Sequence, residues 1–182
     1  MRLFTAIDLP GDVRGRIDDL IRQLRPLAPI TWSRASNLHI TTKFIGQWPE
    51  ERLPELKQAL VVAGRPSIPI RVRGLGFYPN RKSPRVFWAG VEAPPELTAL
   101  AREIDLAVAK LGVEPESRVY SPHLTLARIR KPTRLNSLEE QIARLGEPDF
   151  GAFAAGRFFL YHSKPGPAGS VYTKLSEFPF ST

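Results

Sequence analysis

The 182-residue chain contains no cysteine, which excludes disulfides, thiolate nucleophiles and cysteine-ligated metal sites. No apolar run reaches the length needed to cross a bilayer. The opening Met1-Arg2-Leu3-Phe4-Thr5-Ala6-Ile7-Asp8 meets an acid and then Pro10 too soon for a secretory h-region. A cytoplasmic protein with no membrane partner is therefore expected. Acids are the scarcer charge: 18 Asp and Glu against 26 Lys and Arg leave a net +8. That balance favours a polyanionic partner, nucleic acid first, and says nothing about fold. Histidine is rare as well, with three in the chain.

Two of those three lie in related stretches, Leu38-His39-Ile40-Thr41-Thr42-Lys43-Phe44 and Pro122-His123-Leu124-Thr125-Leu126-Ala127-Arg128. Strand alternation puts His39, Thr41 and Lys43 on one face and Leu38, Ile40, Thr42 and Phe44 on the other. His123 and Thr125 share a face in the same way. Strict alternation sends Arg128 to the opposite face, unless a bulge or the strand end returns it.

The stretches belong to a longer repeat. Leu3–Asp8 reads as a strand ending at Pro10-Gly11. A helix capped by Asp12 follows, with Val13, Ile17, Leu20, Ile21 and Leu24 on one face. Ile30–Ser33 reads as a short strand, the first histidine strand stops at Gly46, and Leu53, Leu56 and Leu60 mark a helix. Ile68–Arg73 alternates, with Pro69 indicating an edge or a strand start. Arg85-Val86-Phe87-Trp88-Ala89 then echoes Arg2-Leu3-Phe4-Thr5-Ala6, a helix carries Leu97, Leu100, Ile104, Val108 and Leu111, and His123 follows. Ser137-Leu138-Glu139-Glu140 reads as a capping box, and Arg157–Ser163 and Ser170–Phe178 as closing strands.

Internal duplication explains this order. The fold expected is a single α+β domain over 1–182, with motif-bearing repeats of roughly 2–65 and 85–146. Each of two pseudo-symmetric lobes would be an antiparallel sheet with helices on its outer face. The histidine strands would face each other across the cleft between them.

A lone His-x-Thr is a weak signal, but two facing copies supply an acid, a base and hydroxyl donors for the oxygens of a phosphate. Neither motif contains a carboxylate, and His162 lies far off in sequence, so a two-metal phosphatase is a poor fit. No cofactor is expected.

The two His-x-Thr-x strands resemble those of the 2H phosphoesterases. Trp32-Ser33, Asn37–Gly46, Ser121–Arg128 and Gly169-Ser170-Val171-Tyr172 resemble more closely the RNA 2',3'-cyclic phosphodiesterase branch, also called 2'-5' RNA ligases. The resemblance implies metal-independent hydrolysis of RNA 2',3'-cyclic phosphate ends to 2'-phosphomonoesters, with reversible 2'-5' joining of RNA ends as a companion reaction. It implies His39 as the acid at the departing 3'-oxygen, His123 as the base on water, and Thr41 and Thr125 as phosphate holders. Arg128 and Lys43 join them as candidate substrate-binding residues.

Thr42 stands where such proteins commonly carry leucine, and a change of packing is expected there. The expected partner is an RNA end, tRNA fragments included, met by a monomer. Basic clusters at Arg81-Lys82-x-x-Arg85 and Arg128-x-Arg130-Lys131-x-x-Arg134 suit an RNA backbone. Trp32, Phe44, Trp48, Tyr78 and Tyr120 are candidates for stacking on a base. Competing readings are a phosphodiesterase of small cyclic nucleotides or ADP-ribose cyclic phosphate, and an RNA-end binding module without turnover.

Overall fold

The computed structural model describes residues 1–62 and 64–181. In chain order the regular elements are β1 (Arg2–Asp8), α1 (Gly11–Leu24), β2 (Thr31–Trp32), β3 (His39–Gln47), α2 (Leu53–Ala59), β4 (Ile68–Tyr78) and β5 (Val86–Glu92). They continue with α3 (Pro95–Ala109), β6 (His123–Arg128), α4 (Asn136–Leu145), β7 (Asp149–Ala155), β8 (Arg157–Lys164) and β9 (Val171–Pro179). All strand pairs are antiparallel and form two sheets, β3-β1-β8-β9 and β2-β6-β5-β4-β7. This is the two-lobed α+β architecture expected from the duplicated pattern.

The helices begin differently from expectation. Pro10 occupies the cap of α1 and Asp12 sits in its first turn, where the carboxylate meets the positive end of the helix dipole without capping it. In α4 the cap position is Leu135, no side chain caps the helix, and Glu139 lies in the first turn. Apolar spacing carries both elements: Val13, Ile17, Leu20, Ile21 and Leu24 of α1 are buried, as are Leu138 and Ile142 of α4.

Strand β7 was not foreseen, because Asp-Phe-Gly-Ala-Phe-Ala-Ala lacks β-branched residues. Its pairing with β4 supplies what its composition does not. That pairing also makes β4 an interior strand, with Pro69 beside its first residue.

The sheets are woven into one body. Strand β2, from the first half of the chain, pairs with β6, and β8 returns from the carboxyl end to β1 with β9 on its outer edge. Helix α3 packs against β3 and α1 against β7. One apolar cluster accordingly draws residues from both sheets and all four helices, among them Ile17, Ile40, Leu56, Phe87, Ile104, Leu124, Leu138 and Phe158. No described helix is long and apolar enough to cross a membrane.

Candidate active site

Strands β3 and β6 belong to different sheets and lie against each other. His39 opens one and His123 opens the other. In each, ring Nδ1 lies within hydrogen-bond distance of the carbonyl two residues earlier: 2.7 Å to Asn37 O and 2.9 Å to Ser121 O. A carbonyl only accepts, so Nδ1 carries the proton and donates, leaving Nε2 of both rings for other chemistry. The same local geometry therefore orients both imidazoles.

Each histidine strand carries a bulge at the equivalent place. Along β1, Thr5 faces Lys43 and Ala6 faces Thr41, which skips Thr42. Along β5, Phe87 faces Ala127 and Trp88 faces Thr125, which skips Leu126. A bulge reverses strand parity beyond it, and this has opposite effects on two of the expected binding residues. Arg128 is returned to the face of His123 and Thr125 and is exposed. Its charge, with that of Arg14, acts on His39 of the other sheet.

Lys43 is turned away from that face. Its side chain is 5% exposed, its Nζ lies 2.6 Å from an oxygen of Asp105, and it donates to Glu114 O at 3.1 Å. Lys43 is therefore an internal tie between β3 and α3. The exposed position it vacates goes to Phe44. Thr42 does point to the core, where its hydroxyl lies 2.6 Å from that of Thr5. A second bulge at Ile45 lets β3 continue through Gly46, at φ 85°, to Gln47.

The bulges also align the two halves. His39 pairs with Asp8 and His123 with Gly90, Thr41 with Ala6 and Thr125 with Trp88, Phe44 with Phe4 and Arg128 with Val86. With β3 and β6 superposed residue on residue, β1 and β5 correspond as Phe4 to Val86, Ala6 to Trp88 and Asp8 to Gly90. The sequence echo of Arg2–Ala6 in Arg85–Ala89 is out of step with this by one residue, which exchanges the faces of the strand.

The two histidines differ in what surrounds them. His39 is half-buried, stacks on Phe4 with ring centroids 4.8 Å apart, and meets the edge of Tyr172 at 5.2 Å. Tyr161 stacks on Phe4 at 5.2 Å and lies 6.2 Å from the His39 ring. Burial among these rings lowers the His39 pKa to about 4, partly opposed by the Asn37 carbonyl and the charge of Asp8. Asp8 is itself held by the Tyr161 hydroxyl and by Lys174 Nζ at 2.5 Å. His123 is exposed.

Thr41 and Thr125 are half-buried, and their main chains are anchored from outside. Tyr120 donates its hydroxyl to Thr41 O at 2.8 Å, and Ser33 donates to Thr125 O at 2.8 Å. Asn37 Nδ2 donates to Ser170 O at 2.8 Å, tying the approach to the first motif to the 165–170 connector. Among the aromatic candidates, Trp48 is buried and Trp32 is engaged by Phe87 and by Ala28 O, whereas Phe44 and Tyr78 are exposed.

Asp8, Phe4, Tyr161, Tyr172 and Trp88 were not read as site residues from sequence. β1 is buried on both faces, so alternation does not distinguish Phe4 and Asp8. Trp88 is concealed by the one-residue slip in the repeat. Among the described residues no three His, Asp or Glu come together as a metal site.

The arrangement offers two imidazole nitrogens, two threonine hydroxyls and a guanidinium, a set suited to a phosphate. The chain matches the model of the LigT-like phosphoesterases twice, over residues 7–88 and 90–172, with one histidine motif in each match. It is 33% identical over 183 residues to the RNA 2',3'-cyclic phosphodiesterase of Methanothermobacter thermautotrophicus, covering 98% of each chain. A Thermus thermophilus crystal structure superposes with a TM-score of 0.82 at 30% identity, over 99% of this chain and 98% of that one. The crystal structure of Escherichia coli LigT complexed with 3'-AMP superposes with a TM-score of 0.76 at 26% identity, over 98% and 97% of the two chains.

Proposed function

Because the chain belongs to the LigT-like phosphoesterase family, we propose that it hydrolyses RNA 2',3'-cyclic phosphate ends to 2'-phosphomonoesters without a metal. The observation that carries this reading is the matched pair of imidazoles, each with Nδ1 committed to a backbone carbonyl and Nε2 free.

His123 Nε2 takes a proton from water as the water oxygen bonds to phosphorus. The bond from phosphorus to the ribose 3'-oxygen breaks, and His39 gives its Nε2 proton to that oxygen. Thr41, Thr125 and Arg128 hold the non-bridging oxygens as charge builds on them. In the free protein His39 is neutral at pH 7, so the proton it donates is taken up from solvent as the substrate binds, because the phosphate anion beside the ring raises its affinity for H⁺. A 5'-hydroxyl in the place of water, with the proton transfers unchanged, makes the 2'-5' joining reaction. Both histidines come from one chain, so a monomer suffices, and the same proposal has it act in the cytoplasm on fragments such as those of tRNA.

The test is incubation of short RNAs ending in a 2',3'-cyclic phosphate with EDTA-treated protein, followed by assignment of the product isomer. The 2'-phosphomonoester is expected. His39→Ala and His123→Ala are each expected to lower kcat by about 10²–10⁴ with the circular dichroism spectrum unchanged. Substantial turnover by either variant, or loss of wild-type turnover in EDTA, would falsify the scheme.

A further inference from the structure

The cleft face of the second sheet is ordered in rows by its strand register. Gly90 of β5 lies beside His123. The next row is Thr125, Trp88 and Gly76, and the one after it is Arg128, Val86 and Tyr78. Successive rows are about 7 Å apart along a strand, a distance that one extended sugar-phosphate unit bridges.

The middle row is shaped around the indole. A Cβ on Gly76 would lie 2.1 Å from Cζ2 of Trp88, so the ring rests on bare β4 backbone where any side chain would displace it. Trp88 is half-buried, and its register beside Thr125 puts the side chain on the cleft side of the sheet. Neither it nor Tyr78 packs against another aromatic ring among the described residues, unlike Phe4, His39, Tyr161 and Tyr172 of the first sheet.

The outer row is cationic. Tyr78 is 53% exposed, and Arg118 Nη1 lies 3.5 Å from its hydroxyl. Arg85 O accepts from Ile129 N at 2.8 Å, which ties the Arg85 backbone to the segment between Arg128 and Arg130. Among the described residues none of these four arginines pairs with a carboxylate, whereas Arg52, Arg65, Arg71, Arg73 and Arg157 do. Flat rings without an aromatic partner, beside guanidinium groups without a carboxylate partner, are what a single strand requires.

We propose that this face is a track for the single strand upstream of the reacting end: the terminal base stacks on Trp88, and the preceding nucleotide lies on Tyr78 with its phosphate at Arg118. The proposal rests on the phosphodiesterase reading and narrows its substrate class to oligoribonucleotides over mononucleoside cyclic phosphates.

The experiment is equilibrium binding, by fluorescence anisotropy, of a 5'-labelled trinucleotide ending in a 2'-phosphate, with a mononucleoside 2'-phosphate as competitor. Wild type is expected to bind the trinucleotide at least tenfold more tightly. Tyr78→Ala and Arg118→Gln, both at exposed positions, should each weaken the trinucleotide 5- to 20-fold and shift the mononucleotide less than twofold. Trp88→Ala should weaken both ligands at least fivefold, with most of the loss restored in Trp88→Phe. Equal wild-type affinities, or equal losses for both ligands in the Tyr78 and Arg118 variants, overturn the track. Turnover of the cyclic phosphate with equal affinities would remove the track and leave the enzyme reading; tight trinucleotide binding without turnover would do the reverse.

Discussion

At the scale of the residue, His39 and His123 are separated by their surroundings and not by their backbone geometry. His39 sits in an aromatic wall that disfavours its charged form, with a pKa of about 4 in the free protein. Binding a phosphate must therefore take up a proton between about pH 4 and the higher pKa of the complex. Calorimetric titration of a nucleoside 2'-phosphate at pH 6 to 7, in buffers of different ionisation enthalpy, should show net proton uptake in wild type and much less in His39→Gln. The kcat profile, which reports groups in the complex, should be bell-shaped; a profile flat from acid to alkali would argue against a histidine acid and base.

The same depressed pKa sets a stability trend. Its contribution is fully present above about pH 6.5, the ordinary histidine value, and is lost as pH falls through 4, because the unfolded chain binds the proton that the folded one refuses. Urea midpoints between pH 4 and 7 should fall less steeply for His39→Gln than for wild type. Lys43 is the other informative residue. Lys43→Ala leaves Asp105 facing a buried vacancy and should cost about 3–5 kcal/mol, read by urea unfolding.

At the scale of the element, the matched bulges in β3 and β6 do what strict alternation does not. Each lets His and Thr share a face, then reverses parity within two residues, sending Lys43 inward and Arg128 outward. The buried hydroxyls of Thr5 and Thr42 meet beside the first bulge. Thr42→Val alone leaves Thr5 without its partner and should cost about 1–3 kcal/mol. The double variant Thr5→Val with Thr42→Val should recover most of that loss. A double-mutant cycle by denaturant unfolding measures the coupling, and additive losses would show that the hydroxyl pair contributes nothing.

At the scale of the whole molecule, the duplication does not give two independent halves. Strands β2, β8 and β9 cross between the repeats, and one core spans both sheets. Unfolding should therefore be a single transition, with tryptophan fluorescence and far-ultraviolet circular dichroism coinciding. Two separated transitions would mean that the sheets melt apart.

Much of this molecule is written locally in its chain. Period-two and period-3.6 patterns and the doubled His-x-Thr determined the histidine strands, the principal helices and the phosphate chemistry, because each is a property of neighbouring residues. The bulges, the burial of Lys43, the return of Arg128, the pairing of Trp88 with Thr125 and the ring wall around His39 were decided by tertiary structure. Each depends on which residue of a distant strand lies opposite. Register is a relation between two strands, and a slip of one residue turns a face inside out while leaving the pattern along either strand unchanged.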